Sequence, residues 1–152
     1  MASDIFLKVS DAQAVTTTAV STDSVPLGAT GLDLGAGEPM GLAFHIDVAA
    51  LVAGTETYSF QIVGATNAAL SSGLVVLAER EFTTAQAAAL TAGARFCLAF
   101  PVGSLNASSI THVGARYETA NSAGVTVTAY FTPLSMFDDK DPTIRNGFVV
   151  AA

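Results

Sequence analysis

Residues 33–47 read DLGAGEPMGLAFHID: two closely spaced glycines, Glu-Pro, a third glycine and an apolar run. A dinucleotide-binding turn needs Gly-x-Gly-x-x-Gly between a strand and a helix. Gly35, Gly37 and Gly41 are spaced one residue too long for that. The residues after them do not read as a helix either. Met40, Leu42, Phe44, Ile46 and Val48 alternate with Gly41, Ala43, His45 and Asp47, the two-residue period of a strand. No helix N-terminus is then available to hold an anion. Glu38 would repel a phosphate, Pro39 has no N–H to donate, and the loop holds no lysine. The glycines therefore read as a turn into a strand. The side chains of Leu42, Phe44 and Ile46 are expected to fill a β core.

The same period runs through most of the chain. In TETYSFQIV (55–63), Tyr58, Phe60 and Ile62 oppose Thr57, Ser59 and Gln61. In GVTVTAYFT (124–132), Val125, Val127, Ala129 and Phe131 oppose Thr126, Thr128, Tyr130 and Thr132. ITHVGARYE (110–118) puts Val113, Ala115 and Tyr117 on one side. LVVLAEREF (74–82) is apolar on both faces at first and charged at its end, and ARFCLAF (94–100) reads as buried. DIFLKV (4–9) and AVTTTAV (14–20) are two further candidate strands. One short helix is expected over AQAAAL (85–90), capped by Thr84 and ended by Gly93. Seven or eight short strands with turn signals between them, and one helical turn, predict an all-β sandwich or barrel.

Composition narrows the function classes. The chain has 152 residues, enough for one domain with a core, and only 12% are charged, about half the usual share. So few charges suggest a surface covered in part by copies of the chain or by a partner. The net charge of −7 rests on 13 acidic and 6 basic residues, which disfavours nucleic acid and anionic membranes as partners. No leader peptide or membrane span is read from the sequence, so a soluble protein used without secretion is expected. The one cysteine, Cys97, lies in FCLAF and is expected to be buried and inert.

The chemistry inventory is nearly empty. His45 and His112 lie on separate strands with no metal-binding spacing around them. Each is expected to make a local hydrogen bond, and His45 shares a face with Asp47. Asp138, Asp139 and Asp141 lack the glycine and closing glutamate of a calcium loop. Glu79 and Glu81 share a strand face, with Arg80 on the other, and read as a surface charge row rather than a glycosidase pair. Asn106-Ala107-Ser108 is a glycosylation sequon that means little without secretion. No nucleophile motif is present. The expectation is a binding or assembly protein: not an enzyme, with no cofactor and no metal.

Residues 134–152, LSMFDDKDPTIRNGFVVAA, differ from the rest. An acidic cluster and a proline precede an apolar end. Residues 1–133 are read as the sandwich and 134–152 as a C-terminal arm. Ile144, Phe148, Val149 and Val150 are its candidate anchors on a neighbouring subunit.

The order of four segments carries a family resemblance. AQAVTTTAVSTDSVPLG, DLGAGEPMGLAFHID, ALTAGARFCLAFP and GARYETANSAGVTVTAYF together resemble the Bbp16-like capsid cement proteins of tailed bacteriophages, from about Gln13 to Phe131. No single motif in them is chemically specific. The resemblance implies a jelly-roll-like sandwich that self-associates, a dimer being favoured over a trimer. It also implies binding to the major capsid protein on the outer surface of the head, the protein being made in the bacterial cytoplasm. No catalytic residue is carried over. The competing expectation is a carbohydrate-binding or adhesin-like module. That would need an exposed aromatic platform, and Trp is absent while Tyr58, Tyr117 and Tyr130 fall on three strands.

Overall fold

A strand that buries alternate residues needs a second layer to bury them against, and this chain supplies two sheets. The computed structural model describes residues 7–27, 39–101, 109–121, 124–134, 144–145 and 148–149. Its strands are β1 (Lys8–Val15), β2 (Ala19–Val20), β3 (Val25–Pro26), β4 (Met40–Val48), β5 (Thr57–Ala65) and β6 (Val75–Phe82). After a helix, α1 (Thr84–Ala87), come β7 (Arg95–Ala99), β8 (His112–Ala120), β9 (Val125–Pro133), β10 (Ile144–Arg145) and β11 (Phe148–Val149).

One sheet has the order β1-β9-β4-β7. The other has the order β2-β8-β5-β6, with β3 pairing farther along β8. Every pairing is antiparallel. If β2 and β3 count as one interrupted strand, eight strands make two four-stranded layers, and the chain crosses between them again and again. That is the jelly-roll arrangement, and the expected all-β sandwich is what forms.

Aromatic rings join the layers. Phe44 and Phe96 of the first sheet stack at 5.0 Å. Phe60 of the second meets Phe96 edge-on at 5.0 Å and Phe44 at 5.3 Å. Phe82 and Tyr117 close the cluster around Phe60. Such offset and edge-on pairs stabilise beyond the burial of their area. Leu42, Phe44, Ile46, Val125, Val127, Ala129, Phe131, Val113, Ala115 and Tyr117 are buried on the expected faces.

The outer faces are not uniformly polar. Ala43 and Cys97 are buried on the outside of the first sheet, against Tyr130 and Leu134. Gly41 lies beside them, where a Cβ would overlap Cys97 Sγ and stand 2.9 Å from the backbone oxygen of Leu98. On the second sheet, Leu70 folds back over Gly114 with φ +53° and buries itself with Val63 and Ala65.

Several expectations change. AVTTTAV is not one strand: β1 ends at Val15, the threonines bend, and β2 begins at Ala19. The β-branched run suits a strand locally, but β1 and β2 belong to different sheets, so the chain must turn there. Of the expected strand DIFLKV, Lys8 and Val9 belong to β1 and Leu7 precedes it, while residues 4–6 lie outside the described part. Val48 leaves the core face, 58% exposed, because the register slips between Ile46 and Val48. The helix is only Thr84–Ala87 and its N-cap is Thr83, whose N–H donates to Gln86 Oε1 at 3.2 Å. Gly93 does take a left-handed φ of +89°, but in a turn beyond the helix; its N–H donates to the Ile46 carbonyl. The glycine loop at 33–37, Glu38, Asp138, Asp139, Asp141 and the sequon at 106–108 lie outside the described residues.

Candidate interaction surface

Among the described residues the large exposed apolar side chains are Val48, Leu51, Val52, Leu74, Val75 and Val76. They form two groups at opposite ends of β5. The first precedes Thr57, where β5 begins. The second lies by Gly64 near its other end, since Val75 pairs with Gly64. Nine strand residues separate the ends by roughly 25 Å.

The first group sits on a tightly held loop. Ala50 N–H donates to the Leu90 carbonyl at 2.9 Å, and Leu51 N–H to that of Gly124 at 2.8 Å. The Tyr58 hydroxyl donates to the Leu51 carbonyl at 2.6 Å and accepts from Gly124 N–H at 3.1 Å. Glu56 closes the loop from beneath. Its Oε2 accepts the N–H groups of Ala53, Gly54 and Thr55 at 2.8, 2.9 and 3.1 Å. These bonds, that of Gly54 foremost, hold its carboxyl below the usual carboxylate range. Val48, Leu51 and Val52 are therefore presented on an ordered backbone, so little loop entropy would be lost on docking.

The second group opens β6, the outer strand of its sheet. Apolarity on both faces is the pattern of a buried strand, so the sequence does not tell this edge from the core. The first group carried no clear signal either: alternation runs on to Val48, and the residues after it, AALVAG, hold no polar turn residue.

Polar residues line the outer face of the second sheet. Ser59 Oγ and Gln61 Nε2 donate to Glu79 Oε1 at 2.6 and 3.2 Å. These bonds, Ser59 first, hold the Glu79 carboxyl below the usual range, with a smaller contribution from Arg116. Arg116 donates to Gln61 Oε1 and pairs with Glu118. Every carboxylate here that has a partner is in a charge or hydrogen-bond row. Arg80 points to the other face, with its guanidinium 5.5 Å from the Phe82 ring centre.

His45 Nδ1 lies 3.0 Å from Asp47 Oδ1, and Asp47 Oδ2 accepts from Thr128 Oγ1 at 2.6 Å. His112 Nδ1 lies 2.9 Å from Thr111 Oγ1. Both histidines make the local bonds expected of them. Cys97 is buried, and that burial pushes its thiol up to about 12. Among the described residues no three His, Cys, Asp or Glu converge as a metal site, and no helix is long and apolar enough to cross a membrane. Tyr58 and Tyr117 are buried, which leaves only Tyr130 of the three tyrosines for a sugar-stacking platform.

Of the expected tail anchors, Ile144 pairs with Val149, and Arg145 with Phe148, in a two-stranded hairpin. Its backbone lies beside β7 of the same chain. Val150 lies outside the described residues.

No curated protein matches the chain. A family model does: residues 9–129, which run from the bulged first strand to the core face of β9, match the model described as Bbp16. The match spans nearly the whole jelly roll and fits a phage-related structural protein. On that coverage, the chain belongs to the Bbp16 family.

Proposed function

We propose that this protein is a capsid cement, or decoration, protein that binds the outer surface of an assembled phage head and bridges neighbouring capsomers. The observation that carries the reading is the Bbp16 match laid over a jelly roll with exposed apolar groups at its two ends. A bridge needs two separate contact regions, and Val48, Leu51 and Val52 at one end, with Leu74, Val75 and Val76 at the other, supply them. The major capsid protein is the partner, and a homodimer the working form. No catalysis, cofactor or nucleic acid enters this reading.

Cementing works by linkage. A protein that binds the assembled lattice and not its separate subunits stabilises the lattice by its binding free energy at every site. A dimer attached at two points gains further through effective concentration. A net charge of −7 keeps such a protein from sticking to packaged DNA while it acts at the outer surface of the virion. The test is to mix purified protein with expanded, undecorated heads and pellet them. The protein is expected in the head pellet and not with unassembled coat subunits. Its absence from the pellet at micromolar concentration would sink the proposal, and binding on a glycan array would favour the carbohydrate module instead.

A further inference from the structure

We infer that Glu56 is the positioning residue of the first apolar end: its carboxylate is a built-in anion that locks the loop from Ala49 to Thr55 and so aims Leu51 and Val52 at the capsid surface. The capsid as partner rests on the cement reading; the lock itself does not depend on it. Successive backbone N–H groups that converge form a nest for an anion. Ala53, Gly54 and Thr55 build such a nest, and Gly54 turns the chain through it at φ +132°, a conformation that side chains disfavour. One oxygen, Glu56 Oε2, fills it. Glu56 is 2% exposed, while the three residues it holds are exposed. The segments bonded to this loop, 83–94 and 119–125, contain no acid, base or histidine. The three N–H groups thus answer the charge with no cation there to help, and bonds to a charged acceptor are roughly twice as strong as neutral ones.

Val52 stands between two fixed points. Before it, Leu51 is held by Gly124 and by the Tyr58 hydroxyl. After it, residues 53–55 are held by Glu56, and Asn121 Nδ2 donates to the Thr55 carbonyl at 3.0 Å. Thr84 Oγ1 donates to the Glu56 carbonyl at 3.0 Å and fixes the root of the lock. Without the carboxylate the three N–H groups lose their shared acceptor but, lying at the surface, turn to water. The loss then shows as mobility of the tip rather than as buried unpaired donors. A tip that must be ordered on docking binds more weakly, so Glu56 controls affinity without touching the partner.

The test uses the full chain carrying Glu56→Ala, read by amide hydrogen exchange and by pelleting with expanded heads. Exchange at Ala53, Gly54 and Thr55 should quicken at least roughly tenfold more than at Phe60 and Ile62 in β5, the signature of local opening. Head binding should fall at least roughly tenfold. Acetate is the fragment that the substitution removes, so added acetate should restore both, and acetamide, its neutral counterpart, should restore neither. Glu56→Gln keeps the size and loses the charge, and it should give intermediate loop exchange, which carries the test where Glu56→Ala fails to fold. Unchanged loop exchange in a folded Glu56→Ala, wild-type exchange in Glu56→Gln, or acetamide as effective as acetate would each overturn the inference. A loosened loop with undiminished head binding would overturn it too. If wild type itself stays out of the head pellet, the cement reading falls, and the exchange and acetate results still decide the lock.

Discussion

The Ser10 and Tyr117 hydroxyl oxygens lie 2.7 Å apart and buried, joining β1 of one sheet to β8 of the other. Ser10 also donates to Gln13 Oε1 at 2.8 Å, which leaves the Tyr117 O–H to donate to Ser10. Gln13 in turn donates to the Val20 carbonyl at 2.8 Å and accepts from Thr22 N–H. One polar chain thus fixes the crossing between sheets, at a threonine-rich stretch that reads from the sequence as a single strand. Tyr117→Phe should cost about 1 kcal/mol in urea unfolding. Ser10→Ala should cost a similar amount, and the double variant less than the sum of the two, because both remove the same bond.

Alkaline pH should destabilise the protein through two buried groups. Burial holds the Cys97 thiol up at about 12 and pushes the Tyr117 phenol well above its usual range, Ser10 partly opposing the latter. In the unfolded chain these groups ionise near about 8.5 and about 10. The folded state keeps both protons longer, so their contribution is complete below those values and is lost as pH rises. Unfolding midpoints measured from pH 7 to 11 should fall above about 8.5. Cys97→Ala should flatten the first part of that fall, and Tyr117→Phe the second.

At the acid end the sign reverses. Glu56 and Glu79 are held below the usual carboxylate range by hydrogen bonds to their charged forms. Their contribution is present above the unfolded value of about 4.3 and is lost as pH falls through the folded one. Glu56→Gln should leave a shallower loss of stability between pH 5 and 3, roughly the span of an ordinary carboxylate titration. An unchanged profile would mean that the Glu56 bonds contribute nothing.

Gly41→Ala should cost about 1–3 kcal/mol by overpacking, since the new methyl would meet Cys97 Sγ, Leu134 Cδ2 at 2.6 Å and the immovable Leu98 carbonyl. Gly114→Ala meets only Leu70 Cδ1 at 2.6 Å and Ser21 Oγ at 2.7 Å as close neighbours. Ser21 Oγ is held by the Asp23 carbonyl and the Ala115 N–H, but Leu70 Cδ1 is the end of a flexible side chain and no backbone atom lies as close as at Gly41, so it should cost less. Chemical denaturation of the two variants ranks them, and the reverse order would contradict the packing described.

For head binding, Leu51→Lys should lower affinity at least roughly tenfold while leaving the unfolding midpoint unchanged, because Leu51 is exposed and its loop is held through backbone groups. Deleting residues 138–152 should lower oligomerisation or head binding, by sedimentation and pelleting. Unchanged mass together with unchanged binding would remove the tail from either role.

The chain alone determined the strands from β4 to β9, because a two-residue period states which side chains are buried whatever the neighbouring strand is. It also determined that Cys97 is an inert thiol and that the glycines before Met40 precede a strand. The tertiary structure decided what local pattern cannot carry. The bend between Val15 and Ala19 exists because consecutive strands lie in different sheets. Val48 is exposed because of a bulge whose partner, Thr126, is 78 residues away in sequence. Leu70 is buried because a loop folds back over Gly114. The surface that matters most was decided in the same way. Leu74, Val75 and Val76 read as core from their own sequence, and they are exposed only because the fold leaves β6 without an outer neighbour among the described strands.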